Sequence, residues 1–275
     1  MNWIDTAPAY GLGHSEDVVA RALADIPRGE RPYVFTKCSL VWGEDRVVTH
    51  DVSEASLRRE AEDSLRRLQV EAIDLYQIHW PRWQASPVPS PGNVAEAWQT
   101  LAALQQEGKV RHIGASNFTV DDLQTAEAIA PVASLQPPYS MLRRGIEAEL
   151  LPYCAARNIG VLAYSPMQSG LLTGAMTRER IEALAPSDFR RGNKEFQEPQ
   201  LTANLAVVDV LKAIGARHGK SAGEVAIAWA LRHPVVTAAI VGGRSASQVD
   251  GVIGAAGFTL SDEELMEIEA VLPRG

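Results

Sequence analysis

The sequence predicts an α/β fold in which short parallel strands alternate with longer helices. Apolar, β-branched runs recur along the 275 residues and are separated by amphipathic segments, the pattern of βαβ units. No change in composition and no linker divides the chain, so residues 1–275 are expected to form a single domain. Polar residues stand at the ends of successive runs, where parallel α/β folds carry their active sites.

The strands are predicted from the short runs that are rich in Val, Ile and aromatic residues. There are seven of them: Asn2–Asp5, Tyr33–Lys37, Ile73–His79, Val110–Ala115, Ala133–Gln136, Val161–Tyr164 and Thr237–Val241. A closed parallel barrel of this kind needs eight strands. The first of the seven begins at residue 2.

Helices are predicted between the strands from their amphipathic pattern and their end signals. They cover about 15–25, 53–68, 93–107, 119–129, 146–157 and 203–232, with a further stretch at 246–256. Gly108 and Gly160 fall where helices are expected to end, and Ser261 followed by Glu264 predicts a capped terminal helix. Two long loops, 81–92 and 165–201, follow strands and are typical of lids or binding loops.

Composition narrows the functional class. The chain is 46% hydrophobic and 22% charged with a net charge of −8, which argues against a general nucleic-acid surface. No signal peptide and no apolar stretch long enough to span a membrane is visible. Cys38 and Cys154 form no CxxC motif. We therefore expect a cytoplasmic protein with reduced thiols, without nucleic-acid or membrane partners.

Four polar residues at the beginning of the chain predict a proton-transfer site. Asp5, Lys37 and His79 each close an apolar run, and Tyr10 lies in the loop after the first run. A tyrosine is a weak acid near neutral pH unless a cation stabilises its phenolate. Lys37 would supply that cation, Asp5 would hold it, and His79 would orient a substrate carbonyl oxygen.

Each of these residues also has a purely structural interpretation. An aspartate after a strand is often a turn residue, and a loop tyrosine usually contributes to packing. Only the joint placement of the four favours chemistry.

Several motifs carry a resemblance to a known family. They are Asn2-Trp-Ile-Asp-Thr-Ala-Pro-Ala-Tyr-Gly11, Phe35-Thr-Lys37, Ile73-Asp-Leu-Tyr-Gln-Ile-His-Trp-Pro81 and Gly108-Lys-Val-Arg-His-Ile-Gly-Ala-Ser-Asn-Phe118. Together they resemble the aldo-keto reductase superfamily. The Trp42-Gly43 loop and the segments 142–151 and 164–174 are similar to its bacterial general-stress and inositol-operon branch. The resemblance implies a TIM-type (β/α)8 barrel that reduces aldehydes or ketones with NADPH.

The resemblance also implies residue roles. Tyr10 matches the general acid, Lys37 and Asp5 its tuning pair, and His79 the carbonyl-orienting group. The positions that match the family's cofactor site are Ser116, Asn117 and Gln136 for the nicotinamide carboxamide, Tyr164 for ring stacking, Ser165, Met167 and Ser169 for the loop beside the pyrophosphate, and Gly242, Arg244 and Gln248 for the adenosine end. Their side chains suit a planar amide and a phosphate.

The first strand and helix of the family barrel precede the matched motifs. We therefore expect an incomplete barrel of seven strand-helix units out of eight. Two alternatives to an active carbonyl reductase remain at this stage. One is an NADPH-binding regulatory or poorly active truncated barrel, and the other is a metal-dependent hydrolase on the same barrel, for which His79 alone stands at a strand end. Association into a homo-oligomer is a further possibility.

Overall fold

A computed structural model of the chain describes residues 2–243 and 245–273. Contacts divide the chain into two compact units. The first comprises Met1–Gln136 and Tyr153–Gly160, and the second comprises Pro137–Pro152 and Val161–Gly275. Both combine parallel strands with helices, as the alternating sequence pattern predicts.

The first unit is built on five parallel strands and one hairpin. In chain order its strands are β1 (Trp3–Asp5), β2 (Tyr33–Cys38), β3 (Leu40–Trp42), β4 (Val48–His50), β5 (Ile73–Ile78), β6 (Val110–Ser116) and β7 (Ser134–Gln136). The parallel neighbours follow the order β1-β2-β5-β6-β7. The β3–β4 pair is an antiparallel hairpin that the sequence patterns did not predict.

The register of the parallel strands aligns a row of side chains. Lys37 pairs with Gln77, Gln77 with Gly114, and Gly114 with Ser134. The neighbouring Thr36 donates a hydrogen bond to Glu16 on the first helix, so Thr36 faces the helices. Because side chains alternate along a strand, the row that contains Lys37 faces the opposite side.

The helices of the first unit bury the side of the sheet that Thr36 marks. They are α1 (His14–Ala24), α2 (Glu54–Leu68), α3 (Val94–Gln106), α4 (Val120–Glu127) and α5 (Leu150–Arg157), of which α5 begins in the second unit. Gly108, just beyond α3, has the positive φ of 77° expected at a helix end. The same expectation for Gly160 is wrong, because Asn158 adopts the left-handed conformation instead and Gly160 begins the next strand.

Among its described residues, the second unit contains two parallel strands and five helices of its own. They are β8 (Gly160–Tyr164), α6 (Arg178–Glu182), α7 (Gln200–His218), α8 (Ala222–Leu231), β9 (Val236–Ile240), α9 (Ala246–Ile253) and α10 (Asp262–Val271). The single helix predicted over 203–232 is wrong. Gly219 turns the chain with a φ of 63°, and a capping box at Ser221 and Glu224 starts a second helix.

The long segment after β8 is ordered rather than a bare loop. It contains α6 and short 3-10 turns, and its apolar side chains form a buried cluster of Leu171, Met176, Ile181, Phe196 and Leu201. The capping box predicted at Ser261 and Glu264 is confirmed at the start of α10. None of the helices in residues 2–243 and 245–273 is both long enough and apolar enough to cross a membrane.

Candidate active site

A buried ion pair lies at the ends of the first two strands. Lys37 on β2 is fully buried, and the side chain of Asp5, the last residue of β1, is 5% exposed. The Lys37 ammonium donates to the Asp5 carboxylate and, at 3.1 Å, to the carbonyl oxygen of Thr6. A buried ammonium group needs such partners, because an unpaired charge in this position would be very costly.

The phenol of Tyr10 lies beside this pair and remains open to solvent. Hydrogen bonds from Tyr10 N to Ala7 O (3.0 Å) and from Ser15 N to Tyr10 O (3.1 Å) hold its turn. The side chain is 44% exposed, and the Lys37 ammonium lies 5.2 Å from the centre of its ring. The phenol and the buried ammonium group of Lys37 are therefore direct neighbours at the ends of the first two strands.

The imidazole of His79 completes the cluster in its neutral form. His79 follows β5, and its ring meets the Tyr10 ring edge-on with 5.7 Å between centroids. Burial, with the nearby charge of Lys37, lowers the pKa of His79 from 6.5 to about 3. A neutral imidazole at physiological pH can donate one N–H to a substrate oxygen without bringing a second positive charge.

Three predicted nicotinamide-binding residues lie at neighbouring strand ends. Ser116 Oγ donates to the carbonyl oxygen of Gln136 (2.8 Å), and Asn117 Nδ2 donates to the carbonyl oxygen of His79 (2.9 Å). Asn117 has a φ of 59°, a left-handed conformation that asparagine tolerates well. The ends of β5, β6 and β7 are therefore tied together, and the quartet and these three residues belong to the same unit.

Gln77 is a candidate that the sequence patterns did not single out. Its Nε2 donates to Asp5 Oδ2 at 3.3 Å, and Gln136 Nε2 donates to the same oxygen at 3.0 Å. A signal existed in the sequence, since Gln77 is a polar residue in an apolar run, two positions before His79 and therefore on the same face of the strand.

The remaining cofactor candidates belong to the second unit. Tyr164 ends β8 and pairs with Ile240 at the end of β9, so the segments that follow the two strands leave the same edge. The first segment takes left-handed turns, including Ser165 and Ser169 with φ of 55°, while Met167 packs close to Gly223. Gly242 follows β9, and Gln248 lies on the exposed side of α9. Arg244 lies outside the described residues.

Comparison with known proteins decides the family. The model of the Aldo/keto reductase family matches residues 1–273. The chain belongs to this family. It is 36% identical to the aldo-keto reductase YhdN of Bacillus subtilis over 270 residues, which cover 98% of this chain and 78% of that protein. It is 34% identical to the NADH-specific methylglyoxal reductase of Escherichia coli over 273 residues, 96% of this chain and 81% of that protein.

Solved structures agree with this assignment. The glycerol dehydrogenase AKR11B4 of Gluconobacter oxydans superposes with a TM-score of 0.89 at 40% identity, over 98% of this chain and 80% of that one. An aldo/keto reductase of Klebsiella pneumoniae, solved with NADP and acetate, gives a TM-score of 0.71 at 26% identity, over 100% of this chain and 81% of that one. The predicted TIM-type fold class is confirmed, and the chain is an NAD(P)H-dependent oxidoreductase of the carbonyl-reducing aldo/keto reductase family.

The residues at the strand ends fit a nicotinamide carboxamide. The Asp5 carboxylate accepts from Nε2 of Gln136, so the amide of Gln136 must turn its Oε1 the other way. That Oε1 makes no hydrogen bond within residues 2–243 and 245–273, which leaves an acceptor for a carboxamide N–H. Across the same residues, no group of three His, Cys, Asp or Glu side chains is arranged to hold a metal ion.

Proposed function

We propose that this chain reduces aldehydes or ketones to alcohols with NADPH, and that Tyr10 donates the proton. One observation carries the proposal. The ring of the partly exposed Tyr10 lies beside both a buried ammonium group and a neutral imidazole, and the ammonium is held by a carboxylate. Single strand-end residues of these types have common structural uses, but this combination is what general acid catalysis at a carbonyl requires.

Each side chain has a separate task in the proposed reaction. Ser116, Asn117 and Gln136 would hold the carboxamide of the nicotinamide, which would supply the hydride when bound. The Tyr10 hydroxyl donates its proton to the carbonyl oxygen, and the Lys37 ammonium stabilises the phenolate that remains. Asp5 keeps Lys37 charged and in place. The neutral His79 ring donates a hydrogen bond to the same carbonyl oxygen and sets its direction.

We further propose that the chain prefers NADPH to NADH. This preference is supported by the family resemblance of the segment that contains Gly242, Arg244 and Gln248, because a guanidinium can bind a phosphate with two hydrogen bonds. Tyr164, Ser165, Met167 and Ser169 remain predicted cofactor residues on the same basis. The cytoplasmic location and homo-oligomer formation also stay predictions.

The test is cofactor oxidation by the purified chain over a panel of aldehydes and ketones. We expect oxidation only when a carbonyl compound is present, one alcohol formed per cofactor consumed, and a higher kcat/KM with NADPH than with NADH. Arg244→Ala should lower kcat/KM for NADPH about tenfold or more, the cost of a lost charge-assisted contact, and change the NADH value little.

The exposed Arg28 provides the control, since its side chain is 85% exposed and pairs only loosely with Glu71. Arg28→Ala should leave both cofactors unaffected. Folded protein that binds the cofactors but oxidises neither with any carbonyl would contradict the proposed function. Equal losses for NADPH and NADH in Arg244→Ala would contradict the assigned preference alone.

A further inference from the structure

We propose that Gln77 is a positioning residue of this active site, which holds the Asp5 carboxylate in the orientation that keeps Lys37 beside Tyr10. This inference rests on the proposed function, because it assigns a further residue to the same reaction. Gln77 does not reach the substrate. It acts through Asp5, by way of hydrogen bonds on the side of the carboxylate that faces away from Lys37.

The packing around Gln77 leaves room for its side chain. Gln77 is fully buried and lies in register between Lys37 and Gly114. A Cβ atom on Gly114 would lie 2.5 Å from Ser134 Oγ and 3.1 Å from Cγ of Gln77. The missing side chain at Gly114 therefore creates the space that the long amide of Gln77 fills.

The hydrogen bonds fix the direction of two amide groups. A carboxylate only accepts hydrogen bonds, so both Gln77 and Gln136 must present their Nε2 to Asp5 Oδ2. Gln136 Nε2 also donates to Gln77 Oε1 at 3.3 Å, which uses the second side of the Gln77 amide. The three side chains thus form a closed set in which each amide has one orientation.

This arrangement divides the two oxygens of Asp5 between two partners. Oδ1 accepts from Lys37, and Oδ2 accepts from the two glutamines. With both oxygens bound, the carboxylate cannot rotate, and the Lys37 ammonium stays at its place beside the Tyr10 ring. Since Gln136 is also a predicted carboxamide ligand, Gln77 links the proton-donor side of the site to the cofactor side.

The positioning role of Gln77 can be distinguished by experiment from a purely structural role in packing. If Gln77 only filled space in the core, a side chain of similar length without an amide would preserve the reaction. The variants Gln77→Met and Gln77→Glu separate the two roles. Tyr76→Phe is the matched control, because Tyr76 is the adjacent fully buried residue of β5 and pairs with Thr36, so its side chain lies on the face of the sheet opposite to Gln77.

For Gln77→Met we expect kcat to fall about tenfold, the effect of losing a hydrogen bond to a charged group. The affinity for NADPH, measured by fluorescence, should change less than about threefold, because Gln136 keeps its hydrogen bond to Asp5 Oδ2. Tyr76→Phe should retain wild-type kcat and NADPH affinity. A wild-type kcat in Gln77→Met would overturn the proposal.

Gln77→Glu adds a pH signature that packing alone would not produce. A carboxyl group beside Asp5 resists ionisation, and while it is protonated it can donate to Oδ2 in place of the amide. We therefore expect the ratio of variant to wild-type kcat to be close to one near pH 5 and to fall as the pH rises towards about 8. A ratio that does not change with pH would contradict the assigned role.

An unfolding experiment tests the Gln77–Asp5 interaction without any turnover. Gln77→Met is made in the wild-type chain and in an Asp5→Leu/Lys37→Met background, since replacing a buried ion pair by apolar residues usually preserves folding. The cost in the free energy of unfolding should be clearly smaller in that background. Equal costs would overturn the Gln77 proposal. A wild-type chain that reduces no carbonyl would instead overturn the proposed function.

Discussion

Single residues at this site divide into one buried charge pair and two neutral side chains. Lys37 and Asp5 carry the charges and are almost completely removed from solvent, while His79 is neutral because its pKa is lowered to about 3. Tyr10 is the most exposed of the four residues. The positive charge therefore remains fixed on Lys37, next to the phenol that is proposed to give up its proton.

The lowered pKa of His79 predicts a defined loss of stability in acid. Between about pH 6.5 and about pH 3 the unfolded chain binds a proton at His79 that the folded chain does not bind. The free energy of unfolding should therefore fall as the pH falls through this range. His79→Gln should make that decline less steep in urea unfolding. His14→Gln is the control, because His14 is exposed. An unchanged slope in His79→Gln would be inconsistent with a neutral His79 in the folded chain.

Sequence patterns predicted the quartet because its members close successive strands. Parallel strands end at the same edge, so Asp5, Lys37 and His79 had to come close once the strands paired. Gln77 was missed because it lies inside an apolar run rather than at its end. Its partner Gln136 was expected only at the cofactor, yet it also binds Asp5. These contacts depend on the space that Gly114 leaves for the Gln77 side chain. That space is a property of the folded structure, so the sequence patterns do not report it.

Helix α2 supports the site by reaching the strand ends behind it. Glu60 on α2 accepts a hydrogen bond from Ser39 N at 2.9 Å, directly after β2. Ser39 Oγ in turn bonds the main chain of Trp80, the residue after His79. Hydrogen bonds therefore connect the backbone beyond Lys37 to the Glu60 carboxyl group directly, and the backbone beyond His79 to it through Ser39. Burial raises the pKa of Glu60 from 4.5 to about 8.

The raised pKa of Glu60 predicts that the folded chain loses stability as the pH rises. Between about pH 4.5 and about pH 8 the folded chain holds a proton on Glu60 that the unfolded chain releases. The free energy of unfolding should therefore fall as the pH rises through this range. Glu60→Gln keeps an acceptor for Ser39 N and should flatten this dependence. Glu62→Gln, on the exposed side of the same helix, should not change it, and the same slope in both variants would refute the assignment.

The parallel strands and the helices were predicted more accurately than the turns that interrupt them. Periodicity identified the parallel strands, since buried apolar runs are a strong signal. The β3–β4 hairpin was missed because its antiparallel strands interrupt the alternation of parallel strands and helices from which the elements were predicted. The helix expected over 203–232 splits at Gly219, because the capping box at Ser221 stabilises a new start that hydrophobic periodicity does not register.

On the scale of the whole molecule, the family and the reaction class follow from the chain as a unit. The family model covers residues 1–273, and the TIM-type fold that the family resemblance implies is confirmed. The single-domain organisation remains a prediction. Substrate choice depends on the shapes of the segments after the strands, such as 81–92 and 165–201, and sequence patterns report their length but not their shape.

Tyr10 is proposed to donate the proton in carbonyl reduction. The most direct measurement is the single-turnover rate of cofactor oxidation in Tyr10→Phe, with NADPH affinity measured in parallel. Tyr33→Phe is the matched control, because Tyr33 is 58% exposed at the start of β2, at the opposite end of the strand from Lys37. Tyr10→Phe should slow the reaction by about 100-fold or more with NADPH affinity preserved, while Tyr33→Phe should react at the wild-type rate. A wild-type rate in Tyr10→Phe would contradict the proposed role of Tyr10.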